Sequence, residues 1–108
     1  MGQYHKVYNK TKREFINAHR IDNGLKLMEQ MGFDKCTASA LFLLLANSNG
    51  RGGGDAPKNP MIGHWAGDEI VVQGDYAEFG DRAFITEKEL ENYIDISLKV
   101  RDLLDKVF

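Results

Sequence analysis

"TEKELENYIDISLKVRDLLDKVF", Thr86 to Phe108, is the stretch whose reading decides the fold. Thr86 and Glu89 have capping-box spacing, the hydroxyl serving one exposed backbone donor and the carboxylate another. Tyr93, Ile96, Val100, Leu103, Leu104 and Val107 recur at three and four residues, which places them along one side of a helix. Glu91, Asp95, Lys99, Asp102 and Lys106 fall on the other side, with Asp95–Lys99 and Asp102–Lys106 as i,i+4 pairs. The pattern predicts one long amphipathic helix whose apolar side needs a sheet or another helix to cover it.

The segment before it, "MIGHWAGDEIVVQGDY", reads as a β-hairpin, with strands at Ile62–Trp65 and Glu69–Gln73 and a turn at Ala66–Asp68. A second hairpin is expected at the front, where Tyr4, Val7, Tyr8, Phe15 and Ile16 flank the polar turn Asn9–Lys12. Two helices lie between them. One runs from about Asn23 to Met31, and the other, "DKCTASALFLLLANSNG", is capped by Asp34 and closed by Asn49 or Gly50. The second is apolar all round, so burial on most sides is expected. The order is β-β-α-α-β-β-α. It predicts an α+β fold, a small antiparallel sheet from two hairpins with three helices packed on one face. At 108 residues the chain fits one domain, 1–108.

The single cysteine, Cys36, excludes an intramolecular disulfide and every multi-cysteine metal site. A lone thiol suits a reducing compartment. No basic-then-apolar start is visible, and the longest apolar block, Ala40–Ala46, is too short for a membrane span of ~20 residues. The expectation is a cytoplasmic protein without a membrane partner. The net charge of −2 is unevenly spread: residues 66–95 carry nine acids against Arg82 and Lys88, and residues 1–35 carry seven bases against four acids. Overall acidity argues against a nucleic-acid partner, which needs a basic footprint.

Four candidate sites follow. The loop "NSNGRGGGDAPKNP" sets Arg51 among Gly50, Gly52, Gly53 and Gly54 and ends the cluster at Asp55, a composition that can nest an anion such as a nucleotide phosphate. It follows a helix and precedes a strand, and it has neither dinucleotide nor Walker spacing, so the alternative is a plain connector. The pair Gly-Asp recurs at 54–55, 67–68, 74–75 and 80–81 as turn chemistry. The carboxylates of Asp75, Glu78 and Asp81 lack the spacing of a calcium loop. Cys36, in the first turn of a helix and with His64 as partner, would be the nucleophile of a thiol enzyme; otherwise it is a small buried apolar group. Finally His64, Trp65, Asp75, Tyr76 and Glu78 belong to an acidic-aromatic stretch, 64–81, of the kind that anchors interfaces, unless Trp65 is core.

With no complete catalytic constellation, no cofactor and no metal is expected. The leading expectation is a non-enzymatic binding module, an inhibitor or adaptor that meets another protein with a basic surface through residues 64–81. The alternatives are an anionic-ligand binder using Arg51 and its glycines, and the Cys36 enzyme. A homodimer held by opposite charges or by a sheet edge is compatible with the sequence, which does not fix the oligomeric state.

Overall fold

The computed structural model describes residues 4–21, 36–48 and 59–107. The helix expected at Asn23–Met31 and the loop residues Arg51, Gly52, Gly53, Gly54 and Asp55 lie outside the described residues. Among the described residues the fold is α+β, with four strands and four helices: β1 (His5–Asn9), β2 (Glu14–Ile16), α1 (Ala18–Ile21), α2 (Thr37–Leu45), β3 (Ile70–Gly74), α3 (Glu87–Leu90), β4 (Ile94–Asp95) and α4 (Ser97–Val107).

The sheet order is β3-β1-β2-β4. β1 and β2 form the expected hairpin, with Val7 opposite Ile16 and Asn9 opposite Glu14. Its turn places Arg13 at φ 56°, a left-handed conformation uncommon outside glycine. β3 pairs antiparallel with β1, Val7 opposite Val72, whereas β4 joins the other side parallel to β2. The expected second hairpin is therefore corrected. Residues 61–67 form consecutive turns, with His64 N donating to Met61 O, Ala66 N to Gly63 O and Asp68 N to Trp65 O. Gly63 and Gly67 take φ values of 80° and 81°, which bend the chain out of any strand path. Strand β3 finds its partner 60 or more positions away instead.

The long helix expected from Thr86 is also corrected, because it is interrupted. The capping box forms, with Glu89 N donating to Thr86 Oγ1 at 3.2 Å, but α3 lasts four residues. The break has two causes. Ile94 and Ile96 are β-branched residues that suit an extended backbone, and the Ile94 and Ile96 amides donate to the carbonyls of Arg13 and Phe15 at 2.9 and 3.0 Å. Asp95 then accepts the amide of Ser97 at 2.8 Å, which restarts the helix. Asp95 also pairs with Arg20 at 3.4 Å, so Asp95–Lys99 does not form, while Asp102–Lys106 does at 3.1 Å.

Side chains alternate across a strand, so β1 sends Val7 to one face of the sheet and Tyr8 to the other. On the Val7 face, Ile16, Ile21, Ala40, Leu44, Trp65, Ile96, Val100 and Leu104 close a core with α2 and α4. On the Tyr8 face, Tyr93 meets the Tyr8 ring edge-on at 5.8 Å, and Leu90 of α3 lines a cleft with it. Helical segments thus lie on both faces rather than one. α2 is shorter than expected: Cys36 is its N-cap residue, in place of Asp34, and Ala46 is already extended. Nor is it covered all round, since Phe42 and Leu45 are exposed.

Candidate functional site

The candidate residues of the acidic-aromatic stretch separate to the two ends of β3, a distance of ~17 Å for five residues at strand spacing. At one end stand His64 and Trp65. Trp65 has no exposed surface, and its indole Nε1 donates to Glu14 Oε1 at 2.8 Å. His64 Nε2 lies 2.9 Å from the same oxygen. Trp65 is therefore a core residue with its one polar atom satisfied, and it presents no ring to a partner.

Beside this pair, Asp68 accepts from Asn9 Nδ2 at 2.8 Å and pairs with the Lys12 ammonium. The Lys12 hydrogen bond, with help from Asn9, holds the Asp68 carboxyl below its usual range. At the other end of β3, Asp75 Oδ1 accepts the amide of Tyr4 at 3.2 Å. The two Gly-Asp pairs flanking β3 thus use their carboxylates to fasten β3 to the ends of β1, rather than to close local turns. The pair at Gly80-Asp81 does close one: Asp81 Oδ2 accepts the amide of Glu78 at 2.8 Å, and Gly80 has φ 103°.

That turn carries the most exposed aromatic side chain of the described residues, and Tyr76 lies just before it, less exposed than Phe42 of α2. Phe79 is 93% exposed and Tyr76 65% exposed. Asp75, Glu78 and Asp81 surround them, and Arg82 is the nearest base in sequence. Two clefts adjoin this region and share His5, Gln73, Gly74 and Ala77 in their walls. One, of about 370 Å³, lies on the Tyr8 face and is lined by Tyr4, Lys6, Tyr8, His19, Asp75 and Leu90 among others. Tyr4 and His19 meet there edge-to-face at 5.6 Å. The other, of about 230 Å³, runs beside Val71, Val72 and Gly74 and is walled by Tyr76, Asp81 and Arg82.

Gln73 was not among the candidates, yet it fixes the far side of this region. Its side-chain amide donates to Ile85 O at 3.0 Å and accepts from Ile85 N at 2.8 Å. A side chain here stands in for a strand neighbour. Glu14 and Asn9 were missed as well; a carboxylate and an amide on a hairpin carry no sign in the sequence of the indole or the aspartate they meet.

Cys36 is 2% exposed, with its sulfur 3.7 Å from Ser39 Oγ, and His64 is engaged with Glu14. This placement gives a substrate no access to the thiol. Asp75, Glu78 and Asp81 are spent on different partners or on solvent, and no group of three or more metal-binding side chains gathers among the described residues. Among those residues no helix is long and apolar enough to cross a membrane. No family model matches the chain, and neither a curated protein nor a solved structure matches it.

Proposed function

We propose that the chain is a single-domain, non-enzymatic binding module of the cytoplasm that docks on another protein through the turn 75–82. The observation that carries this reading is the 93% exposure of Phe79 on a turn braced by the Glu78–Asp81 bond. A braced turn holds an aromatic ring in water without the ordering cost that a slack loop would add on binding. Exposed aromatics of this kind become anchors when a partner covers them. The partner is basic. Asp75, Glu78 and Asp81 outnumber Arg82, and such a field speeds encounter with positive charge and fixes orientation.

Affinity capture from native lysate at low salt tests it, with wild type run beside Phe79→Ala and Tyr76→Ala. Both substitutions lie on exposed positions, so the folded spectrum should be unchanged. An anchor residue carries roughly 2 kcal/mol or more, so each variant should bind the captured partner about thirtyfold more weakly. Raising the salt should also release it. Equal recovery of the same proteins by wild type and both variants overturns the proposal.

A further inference from the structure

Among the described residues the sheet has two edges, and they differ. β4 is two residues long, and Asp95 in it is occupied by Ser97 and Arg20. β3 is five residues long and reads Ile-Val-Val-Gln-Gly, without the lysine, proline or bulge that usually blunts an exposed edge. The ladder fixes which of its backbone groups face outward. Lys10 N donates to Glu69 O at 2.8 Å, and Asp75 N donates to Tyr4 O at 3.0 Å. These are the bonded pairs, so Glu69, Val71, Gln73 and Asp75 turn their backbone groups to β1. Ile70, Val72 and Gly74 turn theirs away. Gly74 O is taken by Ala77 N, whereas the N–H and C=O of Val72 have no partner among the described residues. The 230 Å³ groove lies along this edge, between Val72 and the Tyr76–Arg82 turn.

We propose that this edge receives an extended basic segment of another protein as a fifth strand, its backbone pairing with Ile70 and Val72 and its lysine or arginine side chains meeting the acids at both ends. The proposal rests on the reading of the chain as a module for a basic partner and specifies how that partner binds. Main-chain pairing of this kind supplies affinity, and alternate side chains supply selectivity. Charge selects the occupant. Glu69 lies at one end of the edge, and Asp75, Glu78 and Asp81 at the other. A second copy pairing antiparallel through its own β3, centred on Val72, would set Glu69 against the other copy's Asp75 twice over. Like charges directly opposite destabilise such a pair, so a basic strand is favoured over self-association.

The probe is a short synthetic peptide alternating lysine and valine, compared with the same peptide N-methylated at alternate amides. The methylated form keeps its charge and loses strand pairing. With wild type, the unmodified peptide should bind and shift the Val72 amide resonance. The methylated peptide should bind about tenfold more weakly, as expected for two lost hydrogen bonds of ordinary strength. Val72→Pro should reproduce that loss, because its N–H serves the open edge and not the β1 ladder. If that variant fails to fold, Val72→Lys tests the same edge by charge.

Equal binding of the two peptides, with the Val72 resonance unmoved, overturns strand addition and leaves the basic-partner reading standing. No binding of either peptide at low salt overturns both. A dimer in sedimentation that Val72→Lys dissolves makes a second copy the occupant, which also overturns the proposal.

Discussion

Glu14 Oε1 sits 2.8 Å from Trp65 Nε1, so the single tryptophan of the chain enters the core with its N–H already satisfied by a strand carboxylate. This bond explains how residues that form no strand are still held against the sheet. Gly63 N and Trp65 N add bonds to Leu43 O and Leu44 O at 3.0 Å each, which tie the same turns to the end of α2. Replacing Glu14 by alanine leaves a buried donor without its acceptor, a loss of roughly 1–3 kcal/mol. Glu14→Gln retains an acceptor and should recover much of it. Urea unfolding followed by tryptophan fluorescence compares the two.

Acid should weaken the β3–β1 attachment at Asp68. Its carboxyl is held below the ordinary value by Lys12 and Asn9, so the folded state favours the ionised form. The stabilisation is complete above the unfolded pKa of about 4 and is lost as pH falls through the lower folded value. The melting temperature of Asp68→Asn should therefore lie below wild type at neutral pH. The gap should close progressively as the solution is acidified below pH 4. A gap independent of pH would show that charge contributes nothing here.

Gly63 and Gly67 have nearly the same φ, 80° and 81°, and should respond differently to alanine. A Cβ on Gly63 would stand 2.7 Å from the carbonyl oxygen of Ala46, whereas one on Gly67 meets nothing within 4 Å. Gly67→Ala should cost only the left-handed backbone penalty, roughly 1–2 kcal/mol. Gly63→Ala adds a clash with a backbone atom that already lies beside the α2 terminus, and should be the more damaging in thermal melts.

Cys36 should be inert in the folded protein. It is buried at the N-cap of α2 and makes no side-chain cap bond. Thiol reactions need an accessible thiolate. Alkylation by iodoacetamide should be negligible in native buffer and complete in denaturant. Rapid native labelling would reopen the thiol chemistry that the placement of Cys36 argues against.

What was legible in the sequence was local. The Thr86–Glu89 capping box, the first hairpin, and the periodic burial of Ile96, Val100, Leu103 and Leu104 all depend on residues within one or two turns of each other. The break at Ile94–Asp95 was hidden. Its causes are the Arg13 and Phe15 carbonyls some 80 positions earlier, which outweigh helical periodicity. β3 was recognised as a strand, but its partner was not, because alternation identifies a pleated segment without naming its neighbour. Of the candidate site, Tyr76 and Phe79 are exposed, whereas Trp65 is not. The withdrawal of Trp65 depended on Glu14, on another element altogether.

The parallel pairing of β2 with β4 has a kinetic consequence. Asn17 N reaches Ser97 Oγ at 2.7 Å across 80 positions, and Ile96 N reaches Phe15 O in the same region. Closing a loop of that length carries an entropic barrier that local contacts do not share, and folds dominated by such closures form slowly. On the ribosome the early hairpin would emerge with β2 still an edge and Val7 and Ile16 still uncovered. Only when synthesis has passed β4 can that edge be sealed, so the hairpin must wait, exposed, for the segment that completes it.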